Sequence, residues 1–293
     1  MLNLLKSNHY CHHLQVNFAQ LNRTCHRWYK LYAPKKLVQR PNINQVKVDD
    51  STLIALLICQ TQLGIESQRR FCMILVSSIS RSRFNRRTRQ LLPLLSLIRR
   101  KLNQDVDLHG QFLIIDSFPV PVCHPVRNYR AKIFRGSTDI GYNATKKQYY
   151  YGFKVHMIVS SDGYLLNYIV TKASVHDSKV AEELILNTMP LEHFLLADVG
   201  YVSRQLHTDL VSDGYELWTP FRQNMAGAKK HNSRILKAIR RTIETDFSLL
   251  KYYNAENNRA RSLAGFQERL EVAILASNME YCLEKFHEHH ALY

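Results

Sequence analysis

The sequence predicts a mixed α/β fold, in which a sheet of parallel and antiparallel strands is flanked by helices and preceded by an α-helical region. Three observations indicate this. Residues 51–104 have helical composition and periodicity throughout. From residue 112 onward, short apolar runs bounded by turn residues form first a hairpin and then alternate with helical segments. An apolar share of 45% over 293 residues is enough for a real core and excludes a disordered chain.

Residues 1–108 are predicted to form the α-helical region. A polar, mildly basic segment comes first, and Ser51 is placed to cap the helix that follows it. A second helix is expected from Glu66 to about Ile79 and a third from about Ser82, with Pro93 as a break or kink. Short helices joined by tight turns are typical of a helix-turn-helix module, which binds DNA.

The charge of the chain points to a polyanionic partner. Its 40 Lys and Arg residues outnumber 24 Asp and Glu residues, so the formal net charge is +16 and DNA or RNA is the first partner to expect. From Ser67 to Gln104 there are ten basic residues and no acidic one. Because a solvated helix face mixes both signs, we expect DNA contact here rather than an ordinary soluble surface. The residues expected to bind phosphates are Arg81, Arg83, Arg86, Arg87 and Arg89.

Membrane and secreted classes are disfavoured. No apolar run approaches the roughly 18 residues of a membrane span, and the N-terminus lacks the pattern of a secretory signal. The six cysteines are scattered, which indicates reduced thiols. We therefore expect a cytoplasmic protein with no membrane partner. Cysteines and histidines near the N-terminus suggest zinc, but their spacing matches no zinc motif, so a basic helical segment is favoured.

Residues 109–293 are predicted to form a second domain built around strands. The turn Ser161–Gly163 joins two strands into a hairpin, and later strands alternate with helices. The predicted strands are Phe112–Asp116, Tyr149–Val159, Tyr164–Val170, Phe194–Asp198 and Tyr215–Thr219; the predicted helices are His176–Leu186, Ser203–Val211, Ser233–Tyr252 and Leu263–Phe286.

Two aspartates share one local context. Asp116 ends the run Leu-Ile-Ile, and Asp198 ends the run Leu-Leu-Ala. Each would stand at the carboxyl end of a buried strand, where ligands bind in open α/β sheets. One such aspartate often only caps a turn, but two in a basic chain favour a functional site.

A third carboxylate comes from the helix predicted at 233–252. Glu244 lies in a polar strip with Lys237, Arg240 and Lys251, beside the apolar stripe of the helix. The alternative is a surface pair between Arg240 and Glu244. Three carboxylates on different elements suit Mg²⁺ or Mn²⁺ and not zinc. Two such ions can activate an attacking oxygen and stabilise a leaving one at a phosphodiester.

A second basic region lies between Pro121 and Lys154. It has seven basic residues, Arg130 and Lys132 among them, against the single acid Asp139, and tyrosines are interleaved. Such a mixture binds unpaired or distorted DNA strands; the alternative is a long solvated loop.

Two further motifs have competing interpretations. His176-Asp177 is favoured as a helix start with Asp177 as the cap, and contact with the active site is the alternative. Trp218 is favoured as a packing residue, with base stacking as the alternative.

Taken in order, the motifs resemble those of bacterial insertion-sequence transposases of the DDE class. The run Pro121–His124 and the Ile243-Glu244-Thr245 context are most similar to the insertion-sequence 982 family. The matching motifs are Asp116–Val120, Tyr151–His156, His176–Ser178, Ala197–Tyr201 and Arg240-x3-Glu244-x6-Lys251.

The resemblance implies a ribonuclease-H-like core and a Mg²⁺-dependent reaction that cuts and joins DNA. It implies Asp116, Asp198 and Glu244 as the catalytic, metal-binding triad, with two Mg²⁺ or Mn²⁺ ions. Arg240 and Lys251 match the family pattern and are expected to bind DNA, whereas Lys237 stands where relatives have a tyrosine.

We therefore expect a transposase that hydrolyses a phosphodiester at the element end and joins the freed 3′-hydroxyl to target DNA. Its expected partners are double-stranded DNA, as terminal inverted repeats and target, and further copies of the chain in a homodimer or larger assembly. It is expected in the bacterial cytoplasm, associated with the nucleoid. The alternatives are a nuclease of the same fold without strand transfer, and a non-catalytic DNA-binding protein derived from a transposase.

Overall fold

The computed structural model describes residues 9–76, 78–144, 146–188, 194–221, 224–225, 227–232 and 250–291. The chain divides into two compact units: residues 1–105 with 259–276 form the first, and residues 106–258 with 277–293 form the second. The expected domain boundary at 108/109 lies close to residue 105, but the inclusion of 259–276 in the first unit was not part of the sequence-based prediction.

The first unit is helical, and side-chain caps define where its helices begin. Asp49 accepts a hydrogen bond from the Thr52 amide (2.6 Å) and so caps the third helix, whereas Ser51, the predicted cap, lies inside it. Ser67 and Ser80 cap the next two helices. The helices are α1 (His9–Tyr32), α2 (Lys35–Val38), α3 (Asp50–Gln62), α4 (Gln68–Leu75), α5 (Arg81–Gln90) and α6 (Leu92–Asp105).

Pro93 starts a helix instead of kinking one. It is the second residue of α6, and α5 ends at Gln90. An amide in the first turn of a helix has no partner within that helix, so a proline costs nothing there. The third predicted helix is therefore two.

The centre of the first unit is α3. Leu53, Ile54, Ala55 and Leu56 are successive residues, about 100° apart around the helix, and all four are buried, which shows that α3 is surrounded by protein. Residues 259–276 join this unit through buried ion pairing. Arg99 on α6 donates through Nε to Glu271 Oε2 at 2.9 Å, with both side chains almost completely buried.

The second unit contains a six-stranded mixed sheet. Numbered along the chain, the strands are ordered β2-β3-β1-β5-β6 across the sheet. β2 and β4 share one edge of β3: β2 pairs with the first part of β3 and β4 pairs with the rest. The strands are β1 (Leu113–Cys123), β2 (Asp139–Asn143), β3 (Gln148–Ser160), β4 (Leu165–Lys172), β5 (Phe194–Ala197) and β6 (Glu216–Trp218). The helices of this part of the chain are α7 (Ser178–Thr188), α8 (Arg204–Ser212) and α9 (Ala228–His231); α10 (Leu263–Ala291) has residues in both units.

The strand directions confirm the predicted fold class. β1, β3 and β4 form an antiparallel meander, and β5 and then β6 extend the sheet on the other side of β1, parallel to it. This is the ribonuclease-H-like arrangement. Helix α7 packs against β3 and β4, and α8 packs against β6. Leu113, Ile114 and Ile115 are all fully buried, as expected of a central strand covered on both faces.

β1 is longer than predicted. It can continue through two prolines because their missing backbone amides would point away from β3, the strand that pairs with β1 along nearly its whole length. Pro119 and Pro121 lie in the strand, where a proline normally removes a ladder hydrogen bond. Amides two residues apart in a strand point in the same direction, so the amide of Ser117 shows where those of Pro119 and Pro121 would point. It donates to the side chain of the neighbouring Asp116 and not to β3. Because β5 pairs only with residues 113–115, the missing proline amides fall where no ladder exists.

Two further expectations concern the chain as a whole. Within the described residues, no helix is long and apolar enough to cross a membrane. Among the side chains that the structure describes, five cysteines are free thiols: Cys25, Cys59, Cys72, Cys123 and Cys282. Burial raises the pKa of Cys25 and Cys59 to about 12, so both stay protonated and behave as small apolar side chains.

Candidate active site

The sheet places the two aspartates that were predicted at strand ends side by side. β1 and β5 are parallel and in register, with Ile115 opposite Ala197. Asp116 and Asp198 are the next residues along the chain, and neighbouring strands lie about 4.8 Å apart. Asp198 therefore follows the end of β5, as the sequence predicted, whereas Asp116 does not end a strand: it lies within β1, directly after the last residue that pairs with β5, because β1 continues along β3. Both residues are partly buried.

Hydrogen bonds connect Asp116 to a third carboxylate. The Ser117 amide donates to Asp116 Oδ1 at 2.7 Å, and the Ser117 hydroxyl donates to Asp177 Oδ1 at 3.0 Å. Lys154 on β3 donates to the same Asp177 oxygen at 3.2 Å and to the Val175 carbonyl at 2.9 Å. Asp177 does precede helix α7, but its side chain reaches β1 and β3, which is the alternative that the sequence left open.

His156 forms the buried side of this cluster. Its Nε2 is 3.0 Å from Thr171 Oγ1, and its Nδ1 is 3.5 Å from Asp177 Oδ1. Burial lowers the pKa of His156 to about 4 and Lys154 lowers it too, against the opposing charge of Asp177. His156 is therefore neutral near pH 7, and Lys154 is the cation that pairs with Asp177.

Tyr201 and Gly200 show how closely the carboxylates converge. Burial raises the pKa of the Tyr201 phenol well above its usual value, and the charges of Asp177, Asp116 and Asp198 raise it further. A Cβ on Gly200 would lie 2.6 Å from Asp177 Oδ2, so any larger residue there would require the Asp177 carboxylate to move. The sequence analysis quoted both residues only as part of a motif; their role depends on the approach of α7 to the β5 edge.

The donor set suits a hard cation. Adjacent carboxylates supply the oxygen ligands that Mg²⁺ and Mn²⁺ prefer. Among the described residues, no group of three His, Cys, Asp or Glu side chains is arranged to hold a metal ion. The predicted third ligand, Glu244, and the neighbouring Arg240 and Lys237 lie in 233–249, outside the described residues.

The arginines of α5 divide into two kinds. Arg87, predicted to bind DNA, donates through Nη2 to Asp50 Oδ1 at 2.7 Å and through Nη1 to the Val48 carbonyl at 2.6 Å. Arg40 binds the other oxygen of the same carboxylate at 2.7 Å, and Asp50 is only 1% exposed. Arg87 is thus held inside the unit. The remaining α5 arginines are exposed, as phosphate contacts require: Arg81, Arg83, Arg86 and Arg89.

The other predicted DNA-binding residues have mixed surroundings. Arg130 is exposed and lies 5.3 Å from the ring centroid of Tyr129, and Lys132 is exposed. Lys154 is occupied by Asp177, as described above. Lys251 is exposed and lies 3.4 Å from Glu256 Oε1, a surface pair that leaves it accessible.

Trp218 is a packing residue, as the sequence favoured. Its ring lies 5.4 Å from that of His231 at an interplanar angle of 16°. His231 stacks in turn on Phe221 at 3.7 Å, and its Nε2 is 2.9 Å from the Thr219 carbonyl.

Comparisons with known proteins identify a family and similar solved structures. The model of the family described as transposase DDE domain matches residues 108–263, just over half of the chain, and that range includes Asp116, Asp198 and Glu244. The structure of a piggyBac transposase synaptic complex with hairpin DNA is similar over 90% of this chain and 76% of that chain, with 14% identity and a TM-score of 0.47. No curated protein sequence matches.

Proposed function

The chain belongs to the transposase DDE domain family, and from that premise we propose that it cuts DNA at the ends of an insertion sequence and joins them to target DNA. One observation carries the proposal. Asp116 on β1 and Asp198 directly after β5 lie next to each other at the point where the parallel pairing of these strands ends, within the range that the family model matches. A carboxylate pair at this point has little structural use and is placed to bind a ligand.

In the proposed site, Asp116 and Asp198 hold divalent metal, and Glu244 completes the ligand set. Two Mg²⁺ or Mn²⁺ ions bound there would activate the attacking oxygen and neutralise charge on the leaving one. The chain's own groups preorganise the carboxylates. The Ser117 amide donates to Asp116 and fixes the orientation of its carboxylate. The Ser117 hydroxyl donates in turn to Asp177, which holds the Ser117 side chain in place.

The proposed reaction has two in-line steps. Water first attacks a phosphodiester at the element end, breaks the bond to the 3′ oxygen and leaves a 3′-hydroxyl. That hydroxyl then attacks a target phosphodiester, forms the new phosphodiester bond and displaces a 3′-hydroxyl of the target. Neither step needs a covalent bond between protein and DNA. Neutral His156 has no proton to release near pH 7, so its proposed role is to fill the space behind Asp177.

DNA binding is assigned to both units in this proposal. The exposed arginines of α5 and the rest of residues 1–108 contact the terminal inverted repeats. Arg130, Lys132, Arg240 and Lys251 contact DNA near the chemistry, and Lys154 acts through Asp177. The bacterial origin, the likeness to the insertion-sequence 982 family, the nucleoid-associated cytoplasmic location and assembly as a dimer or larger oligomer on DNA belong to the same proposal.

The deciding experiment incubates the full chain with DNA that carries the element ends and maps the breaks and joints. We expect breaks at the element ends with Mg²⁺ or Mn²⁺, and none with Ca²⁺, whose longer and looser coordination does not fit an octahedral site. Asp116→Asn, Asp198→Asn and Glu244→Gln should each lower cleavage by at least about a thousandfold, or about 4 kcal/mol, and spare DNA binding. Asp213→Asn, an exposed acid of the same unit, serves as the matched control and should cleave normally.

The same reactions separate the alternatives. Breaks without any product joined to target DNA would favour the nuclease of the same fold. DNA binding without breaks in any divalent metal would favour the non-catalytic protein. Near-normal cleavage by one of the three variants would remove that residue from the triad.

A further inference from the structure

An exposed aromatic and basic surface lies at the β2–β3 hairpin and in the segment that leads into it. We call residues 126–149 the hairpin surface. Several large apolar side chains are exposed there: Val126 (70%), Tyr129 (64%), Ile140, Tyr142 (50%) and Tyr149 (61%). Single exposed apolar residues are normal, but such a concentration in one short stretch is typical of a binding surface.

Two of these tyrosines form an open pair. Tyr142 and Tyr149 are opposite each other in the β2–β3 register, with ring centroids 4.9 Å apart and an angle of 56° between the rings. Because the rings are tilted, they do not cover each other, and each keeps about half of its side chain in solvent. Each ring therefore offers a flat apolar face to a planar partner.

The charge of the hairpin surface selects the partner. Asp139 is its single acid in sequence, and the Ser174 amide donates a hydrogen bond to that carboxylate at 2.8 Å. The exposed basic residues are Arg127, Arg130, Lys132, Arg135, Lys146 and Lys147. Lys146 and Lys147 lie in the turn between the two tyrosines, so two cations flank the ring pair, as phosphates flank the bases of a nucleic acid strand.

The position of the hairpin suits DNA that is held at the candidate active site. Met157 on β3 is opposite Asp116, and β3 continues from there to Tyr149 over eight residues, or about 26 Å. β1 also continues past Asp116 to Cys123, whereas β5 ends at Ala197. The hairpin thus projects beyond the edge that carries the aspartates, by a length that corresponds to about eight base pairs at roughly 3.4 Å each.

We infer that the hairpin surface binds unpaired bases of the DNA substrate, which stack on Tyr142 and Tyr149 while the flanking lysines and arginines hold the phosphates. The inference rests on the proposed function, because it names the state of the DNA that the same domain would act on. In a paired duplex the base faces are covered by their neighbours, so the rings can distinguish splayed or bulged DNA from duplex.

The test measures binding by the full chain in the presence of a chelator, which keeps it independent of cleavage. Two DNA probes have the same length: a fully paired duplex, and the same duplex with two unpaired bases, one of them 2-aminopurine. We expect tighter binding of the second probe, with quenching of 2-aminopurine fluorescence. Tyr142→Ala and Tyr149→Ala should each weaken its binding by about tenfold and leave the duplex unaffected.

Two controls separate stacking from charge and from folding. Tyr142→Phe and Tyr149→Phe retain the ring and should bind both probes normally, and circular dichroism checks that the alanine variants fold. Lys146→Ala with Lys147→Ala removes charge alone, so it should weaken both probes equally and lower the salt dependence of binding.

Equal affinity of the native chain for both probes would overturn the inference and leave the proposed function standing. The inference would also be overturned if the phenylalanine variants lost as much affinity for the unpaired probe as the alanine variants, because the ring would then not be the binding group. Failure to bind either probe would overturn the inference and the proposed function together.

Discussion

Acidic side chains have opposite surroundings in the two units. In the first unit, the buried carboxylate of Asp50 accepts from the guanidinium groups of Arg40 and Arg87, and that of Glu271 accepts from Arg99. Asp50 thus has two arginines within 3 Å of its carboxylate, and Glu271 has one. Such groups hold helices in place, and they contribute mainly by avoiding the cost of an uncompensated buried charge.

In the second unit, acidic groups are gathered around one another instead. Asp116, Asp177 and Asp198 all raise the pKa of the same phenol, that of Tyr201. Lys154 pairs with Asp177, the one of the three that belongs to neither β1 nor the end of β5. A concentration of carboxylates is unfavourable for folding by itself, and it suits the binding of a divalent cation.

The difference teaches that the chemistry of an ionisable residue is decided by its neighbours and not by its type. Arg86 and Arg87 are adjacent in sequence, yet one is exposed and the other binds Asp50. The same contrast separates Asp116 from Asp50.

The largest effect is expected from breaking a compensated pair. Arg99→Met leaves Glu271 buried without its guanidinium and should lower the free energy of unfolding by about 3–5 kcal/mol. The double variant Arg99→Met with Glu271→Leu removes both charges and should recover most of that stability. Urea denaturation of the native chain and the two variants measures this. A double variant no more stable than the single one would show that the pair has a role other than mutual compensation.

A pH dependence of the first unit is expected from Glu268. Burial raises its pKa from 4.5 to about 7, although Thr88, Arg269 and Arg89 oppose the shift. The unfolded carboxyl ionises first, so stability is highest below pH 4.5 and this contribution is lost as pH rises toward 7, by about 3 kcal/mol in total. Glu268→Gln should abolish the change. Thermal unfolding between pH 4.5 and 7.5 tests it, and an unchanged pH profile in the variant would contradict the assignment.

His156 gives the second unit a dependence of opposite sign. Its folded pKa of about 4 lies below the ordinary value of 6.5, so stability is full above pH 6.5 and falls as pH drops through 4.

A smaller effect is expected where Gly200 meets Asp177. Gly200→Ala puts a methyl group 2.6 Å from Asp177 Oδ2, so the carboxylate must move away from Ser117. We expect a loss of about 1–3 kcal/mol in stability, together with slower cleavage of element-end DNA. Gly200→Ala with Asp177→Ser should recover the stability and not the cleavage rate. Normal cleavage by the single variant would show that Asp177 does not position the site.

The smallest effect is expected at Arg86, and its neighbour Arg87 on α5 serves as the contrast. Arg86→Ala removes one exposed cation, so the slope of log affinity against log salt should fall by about 1 and stability should stay within about 0.5 kcal/mol. Arg87→Ala should lower stability by several kcal/mol instead, because Asp50 loses a partner. Salt titration of DNA binding and thermal unfolding are measured on both variants. An equal loss of salt slope, with stability unchanged in both, would place Arg87 at the DNA after all.

The sequence was sufficient to predict the fold class and most of the elements, and it singled out Asp116 and Asp198, which the sheet places next to each other. It could do so because these depend on local patterns: apolar runs, turn residues, and the rule that ligands bind where parallel strands end. Helix ends were less certain, since Asp49 and Ser51 are both good caps and only the backbone geometry selects Asp49. The continuation of β1 through two prolines was missed, because it depends on which edge of the strand is unpaired.

Only the tertiary structure decided which charges meet. No local pattern connects Arg99 to Glu271, 172 residues later, or shows that Asp177 reaches Ser117 across 60 residues. The same holds for the extent of the first unit: a fragment that ends at residue 108 keeps Arg99 and lacks Glu271. Partners distant in sequence are brought together by the packing of whole elements, and it is this packing that makes one arginine a structural cation and its neighbour a surface one.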